Sequence, residues 1–440
     1  MEIFRLKKPP LREIPFSQIL NVDVRKFVYE VSSPEYLYWD RAKHKRIPPG
    51  LTPEEFWAIV KFWRLNSFNR VNTRVKDEKG NPFCWHTLPN WDYFLHECDM
   101  QLGGHVESPI WDKSIFNQRY VTRGIMEEAI ASSQLEGAST TRKVAKRMIL
   151  ERRKPNSRSE QMIMNNYQAM REIEERLHLL KLSKPILLEL HGILTQQTIK
   201  DDDVGRIRKK EDNVMVCDNI SGIIYHIPPQ TKFLLEELEE FIDFANDDSH
   251  QQPYLHPLIR AIILHFWMGY LHPFTDGNGR MARTIFYWYL LRKKYWGISY
   301  LPISKVIRQS PGQYRDAYIY TEQDDNDLTY FIDYIMRKIM QAKKEFETYI
   351  KHKEKENRGM AELARSKFHL NDRQIQLLRY FHKNSGATTT IKTHSNIYRV
   401  SRVTTKRDLE FLKKEGFVAS TKVGRERVFN GLPKIQEIFQ

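Results

Sequence analysis

Two strongly apolar helical segments, Pro257–Leu271 and Arg283–Lys294, enclose the run His272-Pro273-Phe274-Thr275-Asp276-Gly277-Asn278-Gly279-Arg280-Met281-Ala282-Arg283. Both segments carry apolar residues at i, i+3, i+4 and i+7, and so do Arg123–Gln134, Arg142–Arg153, Ser159–Leu180, Pro185–Gln197 and Thr231–Asn246. The spacing predicts a mainly α, helical core over residues 109–350, with the polar run as a loop at its centre. Gly277, Asn278 and Gly279 are poor helix interior, so the loop is expected to present backbone N–H groups as it enters the next helix.

Such a loop suits an anion. A helix N-terminus carries about half a positive charge and free donors, and Arg280 and Arg283, three residues apart, extend that positive surface. The expected ligand is a polyphosphate. Asp276 offers a hard carboxylate oxygen inside the cationic cup, and Mg²⁺ is usually shared between one or two carboxylates and substrate phosphates, which points to a magnesium nucleotide. His272 at the loop entrance belongs to the residue type that exchanges protons near neutral pH, and is the candidate base for an attacking hydroxyl.

Size and charge set the wider frame. At 440 residues the chain is long enough for two or three domains, which excludes a disulfide-stapled mini-protein. A net charge of +15 calls for an anionic partner. Three scattered cysteines fit a reducing, cytoplasmic setting, and no signal peptide or membrane span is expected, since the most apolar run, 258–271, contains Arg260 and His265. Six of the nine tryptophans precede residue 112, marking residues 1–108 as an aromatic-rich accessory domain in which Thr52-Pro53-Glu54-Glu55 starts a helix. The aromatics there are compatible with packing, docking and dimerisation, so a homo-oligomer is among the assemblies considered. Residues 351–360 read as a charged linker. Beyond it, residues 361–440 hold 16 Lys and Arg against 7 Asp and Glu, more than half of the chain's excess charge.

The central run resembles the Fic signature, His-x-Phe-x-(Asp/Glu)-Gly-Asn-Gly-Arg-x-x-Arg, at every fixed position. The resemblance extends over roughly residues 110–345 through Asn166-Tyr167, Leu190-His191, Gly205-Arg206-Ile207-Arg208 and Asp327-Leu328-Thr329. It implies a protein adenylyltransferase that moves AMP from ATP to a Ser, Thr or Tyr hydroxyl of a protein, the chain itself included, and releases pyrophosphate. By the same resemblance His272 is the general base, Asp276 the Mg²⁺ ligand, Gly277, Asn278 and Gly279 the phosphate cradle, Arg280 a phosphate contact, and Arg283 the holder of the γ-phosphate.

Upstream, Ser132-Ser133-Gln134-Leu135-Glu136-Gly137 fits the family's inhibitory motif, (Ser/Thr)-x-x-x-Glu-(Gly/Asn). Alone it is ordinary helix termination with a glycine cap. Beside a full signature it resembles the class with an inhibitory helix N-terminal to the catalytic loop, in which Glu136 pairs with Arg283 and takes the place of the γ-phosphate. Val214–Pro229, broken by Ser221-Gly222, is predicted as a β-hairpin. It is similar to the family's flap, with Gly222, Ile223, Ile224 and Tyr225 as the docking segment: an exposed strand edge pairs with an extended peptide through backbone bonds and brings a hydroxyl to His272. The same apolar side chains are also compatible with covering core.

In the C-terminal domain, Asp372–Phe381, Thr388–Tyr398 and Ser401–Glu415 are predicted as helices and Phe417–Phe429 as two strands, the order of a winged helix-turn-helix. Arg402, Thr404, Lys406 and Arg407 would start its recognition helix, and Lys422, Arg425 and Arg427 its wing, an arrangement for DNA or for protein docking. Cys84, His86, His96 and Cys98 have the chemistry of zinc ligands but no common finger spacing, and are assigned to packing. The leading function is an autoinhibited adenylyltransferase. The alternatives are a DNA-binding regulator whose Fic core senses nucleotide, and an enzyme that removes AMP from proteins.

Overall fold

The computed structural model describes residues 2–9, 16–19, 21–67, 70–103, 115–218, 220–247, 254–384, 386–424 and 426–439. The order opens with α1 (Phe16–Ile19), α2 (Val22–Glu30), α3 (Trp39–Ala42) and α4 (Pro53–Leu65), then the hairpin β1 (Arg70–Lys76) and β2 (Pro82–His86), and α5 (Trp91–Leu102). The central helices are α6 (Ile115–Leu135), α7 (Arg142–Glu151), α8 (Arg158–Glu175) and α9 (Lys184–Thr195). After the short antiparallel pair β3 (Val216–Cys217) and β4 (Ile224–His226) come α10 (Thr231–Asn246), α11 (Pro257–Leu271), α12 (Asn278–Arg292), α13 (Ile303–Ile307), α14 (Pro311–Gln323) and α15 (Thr329–Phe368). The last part holds α16 (Asp372–Lys383), β5 (Thr388–Thr390), α17 (Ile391–Tyr398), α18 (Arg402–Lys414), β6 (Val418–Val423), β7 (Glu426–Gly431) and α19 (Gln436–Phe439).

Helix α11 is apolar on nearly every side because it is buried on nearly every side: Leu258 to Leu264, Phe266, Trp267 and Met268 are all buried, and α12 packs along it. Among the described residues, the buried aromatics of the N-terminal quarter belong to the same core. Phe83 on β2 lies 5.2 Å, ring to ring, from both Phe266 and Tyr270 of α11. Buried Arg64 of α4 ties the two parts together, donating to the carbonyls of Val31 and Leu37 and to the Tyr330 hydroxyl, with its guanidinium 3.7 Å from the centre of the Tyr36 ring. Tyr36 in turn donates to Asp327 (2.6 Å). The expected start of α4 is present as a full capping box, Glu55 N–H to Thr52 Oγ1 and Thr52 N–H to Glu55 Oε2. The expected edge of this quarter, residues 108 and 109, and Trp111 lie outside the described residues.

The charged run 351–360, read as a linker, is helical: α15 continues through it to Phe368. Lys and Glu are good helix formers, and one glycine costs only about 1 kcal/mol against alanine. Beyond α15 a second core of buried residues forms around Leu378, Leu409, Leu412 and Phe417, roofed by a three-stranded sheet in the order β5-β7-β6. Residues 388–390, expected as helix, are instead the strand β5. Three consecutive threonines are β-branched and pair with β7 from Thr388–Asn430 to Thr390–Val428. This unit docks through α17 on α6 and α7. Arg399, in left-handed conformation just after α17, donates to both oxygens of Glu174 (2.8 Å each) and to Thr122 Oγ1 (3.0 Å). Among the described residues no helix is long and apolar enough to cross a membrane.

Candidate active site

The loop between α11 and α12 is held from outside by buried polar groups. His272 ends α11 in the left-handed region (φ 47°), which turns the chain away from the helix axis. Arg208 collects the carbonyls released there: its Nε donates to His272 O (2.8 Å), its Nη2 to Leu271 O and Pro229 O, and its own N–H to Pro273 O. His191 of α9 stacks flat on Phe274, ring centres 3.8 Å apart. Because its Nδ1 accepts from Gly205 N–H (3.0 Å), its Nε2 must carry the proton and donates to Asp276 O (3.0 Å).

The side chain of Asn278 faces the loop and not the cup. Its amide is spent on the loop itself, Oδ1 accepting from Phe274 N–H and Nδ2 donating to Phe274 O. What it offers a ligand is a backbone N–H in the first turn of α12. That helix begins at Asn278, five residues earlier than the apolar pattern suggested, with Gly277 as N-cap at φ 82°. The N–H groups of a first turn have no partner in the helix in any case, and two of its residues, Asn278 and Gly279, therefore cost little there.

His272 is half-buried, with its Nδ1 donating to Gly269 O (3.0 Å), which leaves Nε2 as the lone-pair nitrogen. Burial pushes its pKa down to about 4, helped by the positive charge of His226, whose ring centre is 6.2 Å away. His226, on β4, has acceptors on both nitrogens: Glu322 Oε2 on Nδ1 (2.7 Å) and Tyr270 O on Nε2 (2.8 Å). Burial alone would lower its pKa, but the Glu322 carboxylate outweighs it and the shift is upward. Two histidines side by side are thus set apart, one an imidazolium and the other a neutral base.

The first turn of α12 forms a cationic cup. Arg280 is fully buried, with Nη1 donating to Leu194 O (2.6 Å); its Nε and Nη2 make no hydrogen bond, Nη2 lying 3.5 Å from Asp276 Oδ1. Arg283 Nε donates to Ser132 Oγ (2.8 Å), and its Nη2 to Ser132 O (3.0 Å) and Glu136 Oε1 (2.8 Å). Its Nη1, with Tyr314 beside it, lacks a bond of good geometry. Burial disfavours the Arg283 cation, but Glu136 more than restores it, and its pKa is raised. Glu136 also covers Gly279: a Cβ at that position would collide with its Oε1 and Cδ. The carboxylate therefore lies on the N-terminus of α12, where the helix field favours an anion. Gly137, at φ 92°, follows as the left-handed cap.

Asp276 is partly exposed and balanced between Arg158 Nη2 (3.2 Å) and Arg280. Among the described residues no cluster of three His, Cys, Asp or Glu side chains is placed to hold a metal unaided. A single partly exposed carboxylate beside an anion cup does fit the way Mg²⁺ binds together with phosphates. The cysteine and histidine dyads lie elsewhere: Cys84 donates to Asn72 Oδ1, and burial pushes the Cys98 thiol up to about 12.

The flap hairpin is present, paired Val216–His226 and Cys217–Ile224, with Gly222 at φ 70° in its turn; Asn219 lies outside the described residues. Its edge is not open as expected. Ile224 N–H donates to Glu2 O (2.9 Å) and Phe4 N–H donates to Ile224 O (2.8 Å), a parallel pairing of residues 2–4 with β4. Ile224 is buried, Ile223 is half-buried, and Tyr225 stands beside Phe4 and beneath Arg315. Ser132, Glu136, Asp276, Gly277, Gly279, Arg280, Arg283 and His272 are thus brought together. The groups that sequence reasoning left without a role are Arg158, His226, Glu322 and Tyr314. His226 in the predicted hairpin was the one visible signal, since an imidazole there is next to a strand edge.

Residues 181–290 match the model of the Fic/DOC family. Among curated proteins the chain is similar to protein adenylyltransferase fic-1 of Caenorhabditis briggsae, 41% identical over 58 residues that make up 13% of this chain and 11% of that one. It is also similar to protein adenylyltransferase Fic of Nematostella vectensis, 36% identical over 90 residues, 20% of this chain and 18% of that one. The match thus spans less than a fifth of the length of these relatives. Among solved structures, a Fic family protein from Desulfovibrio desulfuricans aligns over 78% of this chain and 95% of its own at 18% identity, with a TM-score of 0.48. The signature loop, its arginines and its histidine all fall inside the matched segment, and this segment of the chain is a Fic/DOC family domain.

Proposed function

We propose that the chain is an autoinhibited protein adenylyltransferase. The observation that supports it most directly is the Glu136 carboxylate seated on Gly279 and Arg283, an internal anion in a cup with unsatisfied guanidinium donors. In the reaction the hydroxyl oxygen of a protein side chain bonds to the α-phosphorus of ATP. The bond from that phosphorus to the bridging oxygen of the β-phosphate breaks, pyrophosphate leaves, and the hydroxyl proton passes to His272 Nε2. Arg280, Arg283 and the N–H groups of the first turn of α12 bind and orient the phosphates. Asp276 is the residue to hold Mg²⁺, which when bound neutralises charge on the departing phosphates. Incubation with ATP labelled on the α- or the γ-phosphate tests this. Label enters protein from the α position only, and in the Glu136→Gly background Arg283→Ala lowers it by about 10²-fold, the usual loss for one removed charge-stabilising donor. Transfer from the γ position would make the chain a kinase and end the proposal.

A second activity is supported by the C-terminal unit, which we read as a winged helix. With α17 engaged against α6 and α7, α18 is left with Arg402, Lys406 and Arg407 exposed at its start, beside exposed Lys422 and Arg427 of the sheet; Arg425 lies outside the described residues. This is the charge pattern for the major groove and flanking phosphates of duplex DNA. The full chain is expected to retard duplex DNA in low-salt gels, and Arg402→Glu with Lys406→Glu to weaken it at least about tenfold. No retardation by wild type at low salt removes this reading.

A further inference from the structure

Strand β4 carries His226 beside His272, so an extended polypeptide paired along β4 passes the base. That edge is already filled from within the chain. Residues 2–4 take both hydrogen-bonding groups of Ile224, and Phe4 lies 5.6 Å, ring to ring, from Tyr225. The segment is then anchored on the end of α14: Leu6 N–H donates to Gln323 Oε1 (2.8 Å), and Gln323 Nε2 donates to Phe4 O (3.1 Å). Gln323 follows Glu322, the partner of His226, so the strand runs past the histidine pair. The parallel register of Ile3 with Ile224 puts Arg5, two residues on, level with His226. No Ser, Thr or Tyr occurs from residue 2 to residue 16.

We propose that residues 2–6 are a pseudosubstrate strand: they occupy the strand edge on which a target polypeptide pairs, present no hydroxyl to His272, and must leave before a target docks. This rests on the adenylyltransferase reading for its meaning, not for its test. The partner it implies is an extended peptide, parallel to β4, with an apolar residue at the place of Phe4, against Tyr225, and its hydroxyl residue at the place of Arg5. It is a second restraint, independent of Glu136: the glutamate fills the phosphate site, the strand fills the acceptor site.

The test needs no nucleotide. In the full chain, Phe4→Pro deletes the N–H donated to Ile224 together with the ring against Tyr225, and Leu6→Pro deletes the N–H donated to Gln323, while Gln323 stays in place to hold an added peptide. Both variants, singly and combined, are titrated with a fluorescently labelled synthetic peptide of residues 2–8, while amide exchange is followed by mass spectrometry over 218–226. The double variant is expected to bind the peptide at least about tenfold more tightly than wild type, with exchange at Ile224 at least about tenfold faster when empty and slowed again by peptide. Phe4→Ala, which removes the ring against Tyr225 and alters no backbone group, gives the same direction with smaller size and guards against a misfolded proline variant. Equal peptide binding by wild type and variants, or exchange at Ile224 unchanged in all of them, overturns the proposal. Failure of label transfer from ATP with strand exchange intact would sink the enzymatic reading and leave the displaceable strand standing.

Discussion

Glu136→Gly is expected to raise the initial rate of AMP transfer about 100-fold over wild type. In the resting chain a γ-phosphate must displace a carboxylate bonded to Arg283, whose side chain is 4% exposed, while that of Glu136 is 28% exposed. Breaking a buried ion pair costs about 3–5 kcal/mol, and the partial exposure of Glu136 places it at the low end. About 3 kcal/mol corresponds to about two powers of ten in rate. The substitution should not damage the fold, because Glu136 stands one residue past the end of α6, where glycine carries no helix penalty. Thermal melting and the rate of α-label incorporation, measured together, check it. A rate within a factor of about two of wild type, in a protein that melts normally, would show that the carboxylate is not the restraint.

His272→Ala in the Glu136→Gly background is expected to lose about 10²–10⁴-fold in rate with little change in nucleotide binding, the range for a positioned general base. Its pH profile carries the more specific prediction. A histidine at its ordinary pKa of about 6.5 would lose half its activity near that pH. Burial and the His226 imidazolium hold His272 at about 4, so the base is unprotonated at neutral pH and stays so until the medium is acid. The rate of Glu136→Gly should therefore be level from about pH 8 to about pH 6 and fall only as the pH approaches the lowered value. Removing the imidazolium by His226→Asn shifts the acid limb toward neutral pH. A half-fall near pH 6.5 in the unaltered His226 protein would show that His272 is not held in this electrostatic setting.

How much of this was legible in advance depended on how far apart the interacting residues stand. The catalytic loop is twelve contiguous residues, and its chemistry could be named from residue types alone: a proton acceptor, a carboxylate, small residues at a helix start and two arginines on one face. The capping box at Thr52 was equally plain, since both of its bonds span three residues. Helix limits were less so. Gly279 was read as loop because glycine disfavours helix interiors, yet it sits in a first turn where that penalty is small and where the missing Cβ makes room for an anion. Asn278 shows the same limit at a single side chain, for nothing in its type distinguishes a ligand contact from a loop staple to Phe274.

Sequence by itself determined the periodic helices, the polar loop between two apolar ones, and the groups available for phosphate and proton transfer, because these follow from propensity, period and side-chain chemistry within a few residues. Tertiary structure alone decided which partners those groups have. The pairing of Glu136 with Arg283 joins residues 147 apart, and the resemblance suggested it where periodicity could not. The charge of His226 depends on Glu322, 96 residues away, and the occupancy of the flap edge depends on residues 2–4 meeting residue 224. A strand edge offers the same backbone donors and acceptors whatever its side chains, so sequence shows that the edge exists and only packing shows what fills it.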